Sequence, residues 1–288
     1  MIAEERSLSL VEPIWRGMGR DELDRAYDNS SAVADSAEYL ADWSRRSAEL
    51  REEGGHKLVE LAYGPRERNR VDLLRCGVEN APLLVFIHGG YWQRNSKDIF
   101  LAMAEGPLAA GLDVALPGYT LAPEASLAGI VEEMRTAVAY LRQNGPAIGA
   151  AKGRLVVSGW SAGGHLAASM MNMAAVDAGL AISGIYDLEP IRRGSLNDKL
   201  GLSPADVASL SPIAHLPATS GKLTIAYGTA ELPELQRQSE QYAAEWKSAN
   251  RAADLLPVAG ADHFSILEQL ARPGGVLAIE AARLAGQA

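Results

Sequence analysis

From residue 57 onward, short apolar runs alternate with longer segments of helical period, and that alternation restricts the fold more than any other feature of the chain. The runs are "PLLVFIHGG", "GLDVALPGY", "RLVVSGW", "LAISGIYD", "KLTIAYG" and the weaker "AADLLPVAG". Between most of them lie "SKDIFLAMAEGPLAAG", "SLAGIVEEMRTAVAYLRQNG", "SAGGHLAASMMNMAA" and "LPELQRQSEQYAAEWKSAN", and "SILEQLARPGGVLAIEAARLAG" closes the series. Strand then helix, repeated five times, requires a mostly parallel sheet with helices on both faces, an α/β fold. "PLLVFI" is continuously apolar, as a central strand buried on both faces must be. Ahead of it, "KLVELAYG" and "RNRVDLLRC" alternate apolar and polar residues, the pattern of half-buried strands.

Two stretches stand outside the alternation. Residues 20–53 are polar and helical, with a break near "DNSS" that divides them into two helices and "EEGG" as a stop. Residues 186–221 hold several prolines and no strand signal, so they are expected as short helices on the rim, where insertions commonly shape a pocket. The expectation is one domain over 1–288, with a leading helical lid element at 20–53 and a rim insertion at 186–221. At 288 residues, 48% of them hydrophobic, the chain can bury a core of that size. Its net charge of −9 argues against nucleic acid or an anionic membrane as partner, since both need a basic face. Cys76 is the single cysteine, which excludes an internal disulfide and a cysteine-cluster metal site. The start, "MIAEERSLSL", is acidic and lacks a signal-peptide apolar core, and no apolar run reaches membrane-spanning length. A reduced, cytoplasmic setting is expected.

"GWSAGGHL", residues 159–166, places three glycines in six residues directly after "RLVVS". Glycine costs a helix about 1 kcal/mol relative to alanine, so the cluster needs a reason. G-x-S-x-G between a strand and a helix is the setting of a nucleophile elbow, a strained turn that lifts a serine above the strand ends. Ser161 is the expected nucleophile, with Gly159 and Gly163 as the small flanks. The N–H of Ala162 then faces the place where negative charge would develop. "HGGYW", residues 88–92, ends the strand "PLLVFI" about 70 residues earlier. Such a loop can complete an oxyanion hole, from the N–H groups of Gly89, Gly90 and Tyr91.

The order Ser…acid…His puts the base after the last strand, where His263 stands in "GADHFSILEQL". The other histidines fit less well. His88 and His165 lie inside the glycine motifs and suit structural hydrogen bonds, His56 precedes the first strand, and His215 is in the rim insertion. Three acids compete. Glu231 follows "KLTIAYG" and ranks first, Asp187 in "GIYDLEP" second, and Glu234 third, since it can simply charge a helix start. Asp262 adjoins His263 and would point elsewhere.

Together "HGGYW", "GWSAGGHL", "GIYDLEPI", "LSPIAHLP", "LPELQRQS" and "DHFSILEQL" resemble the kynurenine formamidase (arylformamidase) branch of the α/β-hydrolases. "GYTLAPEASL" resembles the neighbouring hormone-sensitive-lipase-like esterases, and "LDRAYDNSSAV…EYLADW" the branch's leading helices. The resemblance spans nearly the whole chain. It implies a serine hydrolase with Ser161 as nucleophile, His263 as base, Glu231 as acid where aspartate is commoner, and no metal or cofactor. Trp160 stands where histidine is frequent. The expected partner is a small-molecule substrate, with a homodimer left open.

The expected chemistry is acyl transfer from a small N-acyl, formyl-type aryl amide to serine, then to water. Tyr91, Trp92 and Trp160, with Tyr27 from the leading helices, are candidates to receive a flat group, although aromatic residues there equally serve packing. The first rival is a carboxylesterase, or a carbamate or amide hydrolase, using the same triad on small acyl or aryl esters. A more distant rival is a catalytically silent ligand-binding member of the fold, which would be expected to lack a triad residue or an oxyanion glycine.

Overall fold

The computed structural model describes residues 13–53, 57–218 and 221–287. The expected strands all form: β1 (Lys57–Ala62), β2 (Arg70–Arg75), β3 (Leu83–Ile87), β4 (Asp113–Pro117), β5 (Leu155–Trp160), β6 (Ala178–Ile182), β7 (Lys222–Gly228) and β8 (Ala253–Val258). They make one sheet in the order β1-β2-β4-β3-β5-β6-β7-β8. β1–β2 and β2–β4 are antiparallel and the other pairs parallel. This is the α/β-hydrolase arrangement that the sequence reading expects.

The central strands owe their continuous apolar runs to burial on both faces. In β3, Leu83, Val85 and Ile87 join the core on one face while Leu84 and Phe86 join the core on the other. β8 is the edge strand and mostly exposed, and it tolerates Pro257, which cannot donate to a ladder. Its weak apolar signal follows from that position.

Helices α1 (Arg20–Ala26), α2 (Asn29–Ala32) and α3 (Ser36–Glu53) lead the chain, one break more than expected. The glycines expected to stop α3 lie outside the described residues. The segment after β3 is a 3-10 helix over Lys97–Ala104 running into α4 (Glu105–Ala109), not a single α-helix. α5 (Leu127–Asn144) and α6 (Ala162–Met170) flank β5 in sequence, and the rim carries α7 (Glu189–Arg193), α8 (Asn197–Leu200) and α9 (Pro204–Leu210). After β7 come α10 (Pro233–Ser248), α11 (Ser265–Ala271) and α12 (Val276–Leu284), the last two parted at "RPGG". α5, α6 and α10 pack one face of the sheet, and α3, α4, α11 and α12 the other. Among the described residues no helix is long and apolar enough to cross a membrane.

Strand order reverses around β3. The chain leaves β3 to β4 on one side, then returns to β5 on the other. In open parallel sheets, ligands bind in the crevice outside the carboxyl ends of the strands at such a switch point. "HGGYW" follows β3 and Ser161 follows β5, so the two glycine motifs flank that crevice.

Candidate active site

Ser161 sits between β5 and α6 with φ +57°, a left-handed conformation that a non-glycine residue adopts only under constraint. Its N–H donates to the Ile182 carbonyl at 2.9 Å, and its carbonyl accepts from His165 N at 3.2 Å, so both ends of the turn are tied down. The glycines have a steric cause. A Cβ on Gly159 would overlap the Gly163 carbonyl, and one on Gly163 would overlap the Ile87 carbonyl. The elbow therefore packs backbone on backbone, against the end of β3.

His263 and Glu231 meet across 32 positions of sequence, Nδ1 to Oε2 at 3.0 Å, with both side chains almost fully buried. The other carboxylate oxygen of Glu231 accepts from Gly228 N at 2.7 Å and from Ser183 Oγ at 2.5 Å. Three donors thus converge on this one carboxylate and fix its orientation. The competing acids face elsewhere. Asp187 Oδ1 accepts the N–H of Glu189, Glu234 is bound by Trp15, Tyr27 and Arg237, and Asp262 caps Phe264 and Ser265. Ser183, with φ +50°, is absent from the sequence reading. Its position just after a strand gave only a faint sign of it.

Ser161 and His263 line one cavity of about 50 Å3 with Gly90, Tyr91, Trp160 and Phe264. Asn29, Ser30 and Leu40 reach it from the leading helices, and Arg94 and Asn95 from the loop after β3. Ser161 Oγ makes no hydrogen bond to another described residue; in unliganded sites such bonds are often long and tighten around substrate.

The loop after β3 is held with its carbonyls occupied. Gly89 O accepts from His88 Nδ1 at 2.8 Å and from Asn95 Nδ2 at 3.3 Å, and Gly90 O accepts from Gln93 N and Arg94 N. In a planar peptide the N–H points opposite to the C=O. The N–H groups of Gly90 and Tyr91 are thus turned away from those partners, and they donate to no described group. Gly90 (φ +120°), Tyr91 (+50°) and Trp92 (+59°) are all left-handed, and such a run persists only if its surroundings over-determine it. The Tyr91 hydroxyl supplies two ties to the leading helices: it accepts from Asn29 Nδ2 at 3.0 Å and donates to the Tyr27 carbonyl at 2.5 Å.

Not every expected aromatic residue reaches the cavity. Trp160 does, its ring 4.9 Å from that of His263 and its indole N–H donating to the His263 carbonyl at 2.8 Å. Trp92 does not line it: the left-handed turn sends its side chain into the core, edge-on to His165. Tyr27 also stays outside, its hydroxyl bound to Glu234 and Gln238, and only its carbonyl supports the site through Tyr91. The rim segment lines a separate groove near Ala168 and His215 and contributes nothing to the Ser161 cavity, whereas the leading helices do. Among the described residues no group of three or more His, Cys, Asp or Glu is arranged to hold a metal ion.

His88 and His165 hold structural positions. His88 is stacked on Tyr119 at 4.3 Å, and His165 Nε2 meets the Leu210 carbonyl at 2.9 Å; His56 lies outside the described residues. Burial pushes both imidazoles down to about 4 from an ordinary 6.5. Their folded pKa is depressed, so between about 6.5 and 4 the unfolded chain binds protons that the native chain refuses. The part of the stability that these two histidines contribute is expected to fall as pH drops through that window and to level off below it. Denaturant midpoints from pH 7.5 to 4 check this, and His165→Gln should give a shallower decline. An unchanged slope in that variant would remove His165 from the account.

Comparison with known proteins agrees with this geometry. The family model BD-FAE matches residues 75–187, which run from the end of β2 past the elbow. A kynurenine formamidase of Danio rerio is 29% identical over 276 residues, covering 89% of this chain and 93% of that protein. One from Salmo salar is 27% identical with the same coverage. The crystal structure of a putative thioesterase from Silicibacter sp. TM1040 superposes with a TM-score of 0.83 at 30% identity, over 90% of this chain and 98% of the other. An esterase from Pyrobaculum calidifontis shares the fold, with a TM-score of 0.71 at 18% identity. From these matches, the chain is a hydrolase and belongs to the kynurenine formamidase-like branch of the α/β-hydrolase superfamily.

Proposed function

We propose that the protein is a serine hydrolase that cleaves a small N-acyl aryl amide, of formyl type, through an acyl-enzyme. The observation that carries the reading is the buried 3.0 Å link between His263 Nδ1 and Glu231, beside a cavity that Ser161 shares. With Nδ1–H donated to the carboxylate, Nε2 is the free, basic nitrogen. His263 takes the Ser161 proton as Oγ attacks the carbonyl, then hands it to the leaving aryl amine. The N–H groups of Ala162 and of Gly90 or Tyr91, with Gly89 as a further candidate, receive the oxyanion. Removing one such donor typically costs about 3 kcal/mol in the transition state. Water then repeats the sequence on the acyl-enzyme.

The cavity that Ser161 and His263 share is small, about 50 Å3, and that supports a compact acyl group. The names of the fish relatives support the formyl aryl amide in particular. A carboxylesterase reading draws on the same triad and on relatives such as esterase LipC of Mycobacterium tuberculosis, 26% identical over 72% of this chain. Rates separate the two. kcat/KM for N-formylkynurenine is expected to exceed that for N-acetyl and longer N-acyl anilines, because a longer acyl chain needs more room beside Ser161. If every amide is inert while an aryl acetate turns over quickly, the esterase reading replaces this one.

A further inference from the structure

We propose that Arg94 is a specificity-determining residue that recognises a carboxylate on the part of the substrate left outside the acyl cavity; this rests on the function proposed above. Of the side chains lining the cavity, Arg94 carries the one permanent charge, and it is exposed at the mouth. Most arginines of this acidic chain lean on carboxylates, as Arg46 does on Glu105 and Glu268, and Arg75 on Asp113. Arg94 forms neither a side-chain hydrogen bond nor an ion pair with any described residue. Among the described residues its guanidinium meets the Tyr91 ring, with the guanidinium carbon 5.9 Å from the ring centroid, within cation–π range.

Its main chain, by contrast, is fixed. Arg94 N donates to Gly90 O at 3.1 Å, and a Cβ on Gly90 would collide with the Arg94 carbonyl. Asn95, next in sequence, is tied to Gly89 through its amide and to Arg68 through its carbonyl. The guanidinium therefore starts from a rigid turn, the same turn that presents the candidate oxyanion donors. A guanidinium laid on an aromatic ring keeps its edge free, and that edge matches a carboxylate with two parallel N–H···O bonds. Leaving a cation unpaired beside a small neutral cavity gains nothing for an uncharged substrate. It gains affinity for an aryl amide that carries an anionic side chain.

The contact is made equally in the ground and transition states, so its effect belongs in KM. The experiment compares an N-formyl aryl amide bearing a carboxylate side chain with its primary carboxamide, equal in size and uncharged. Native enzyme is expected to prefer the carboxylate by about tenfold to a hundredfold in kcat/KM, through KM, because that is the range of a charged hydrogen-bonded contact. The preference should shrink as salt is raised. Arg94→Gln should bring the two substrates close together and remove the salt effect, while Arg94→Lys should restore part of the preference. Equal rates on the pair in the native enzyme, or a preference that survives Arg94→Gln, overturn the proposal. If no formyl amide turns over at all, the substrate reading falls separately. The acetyl esters of a hydroxybenzoate and its hydroxybenzamide then put the same charge comparison to Arg94.

Discussion

Ser161→Ala is expected to lower turnover about a million-fold, the loss seen when a serine nucleophile is removed with its base in place. The fold should be unaffected. Alanine keeps the Cβ that the φ of +57° already accommodates, so the backbone strain of the elbow does not change. The lost Oγ leaves no described partner unsatisfied. Melting temperature should therefore match the native protein, while covalent labelling by a serine-directed fluorophosphonate disappears. The pairing of these results is what discriminates: a variant that melts early would say little about chemistry. Near-native turnover in a well-folded alanine variant would remove Ser161 from the nucleophile's place.

The second large effect concerns the acid. Glu231→Gln is expected to lower kcat by about ten-thousandfold, comparable to the loss on amidating a triad aspartate. The local bonds explain why the fold should survive and the chemistry should not. Gly228 N and Ser183 Oγ both donate to Oε1, so a glutamine will place its carbonyl oxygen there. Its NH2 must then face His263 Nδ1, where the native acceptor stood. The imidazole can meet a donor only by leaving Nδ1 bare and moving its proton to Nε2, the nitrogen that has to accept from serine. The variant is thus locked in the wrong tautomer. Asp187→Asn is the matched control, since Asp187 serves the Glu189 N–H and does not meet His263. Loss of activity in Asp187→Asn with retention in Glu231→Gln would reverse the assignment.

Much of this was legible in the chain itself, for reasons that can be named. β3 and β5 could be read because burial on both faces demands unbroken apolar residues. The elbow could be read because its glycines answer a steric demand that no other residue meets. Chain order puts Glu231 ahead of Asp187, and the family resemblance points the same way. Other features depend on three dimensions. Tyr91 and Trp92 are neighbours of the same chemical kind, yet the left-handed turn sends one to the cavity and the other into the core, and nothing in "GGYW" distinguishes them. Ser183 matters to Glu231 only because β6 and β7 lie side by side. The 3-10 geometry of Lys97–Ala104 likewise leaves no mark on an apolar pattern that suits either helix.

The cavity joins Asn29 and Leu40 to His263 and Phe264, and so closes a loop across most of the described chain. Contacts so distant in sequence are slow to find each other during folding. Helix content can recover from denaturant while the site is still open, because a helix forms from contacts local in sequence. Catalysis then returns on refolding later than helix content does, and is a more demanding report of the native state than far-ultraviolet dichroism. A destabilising change at the junction of Tyr27, Asn29 and Tyr91 would surface first as a lag in regained activity, well before it could be seen in the cooperativity of unfolding.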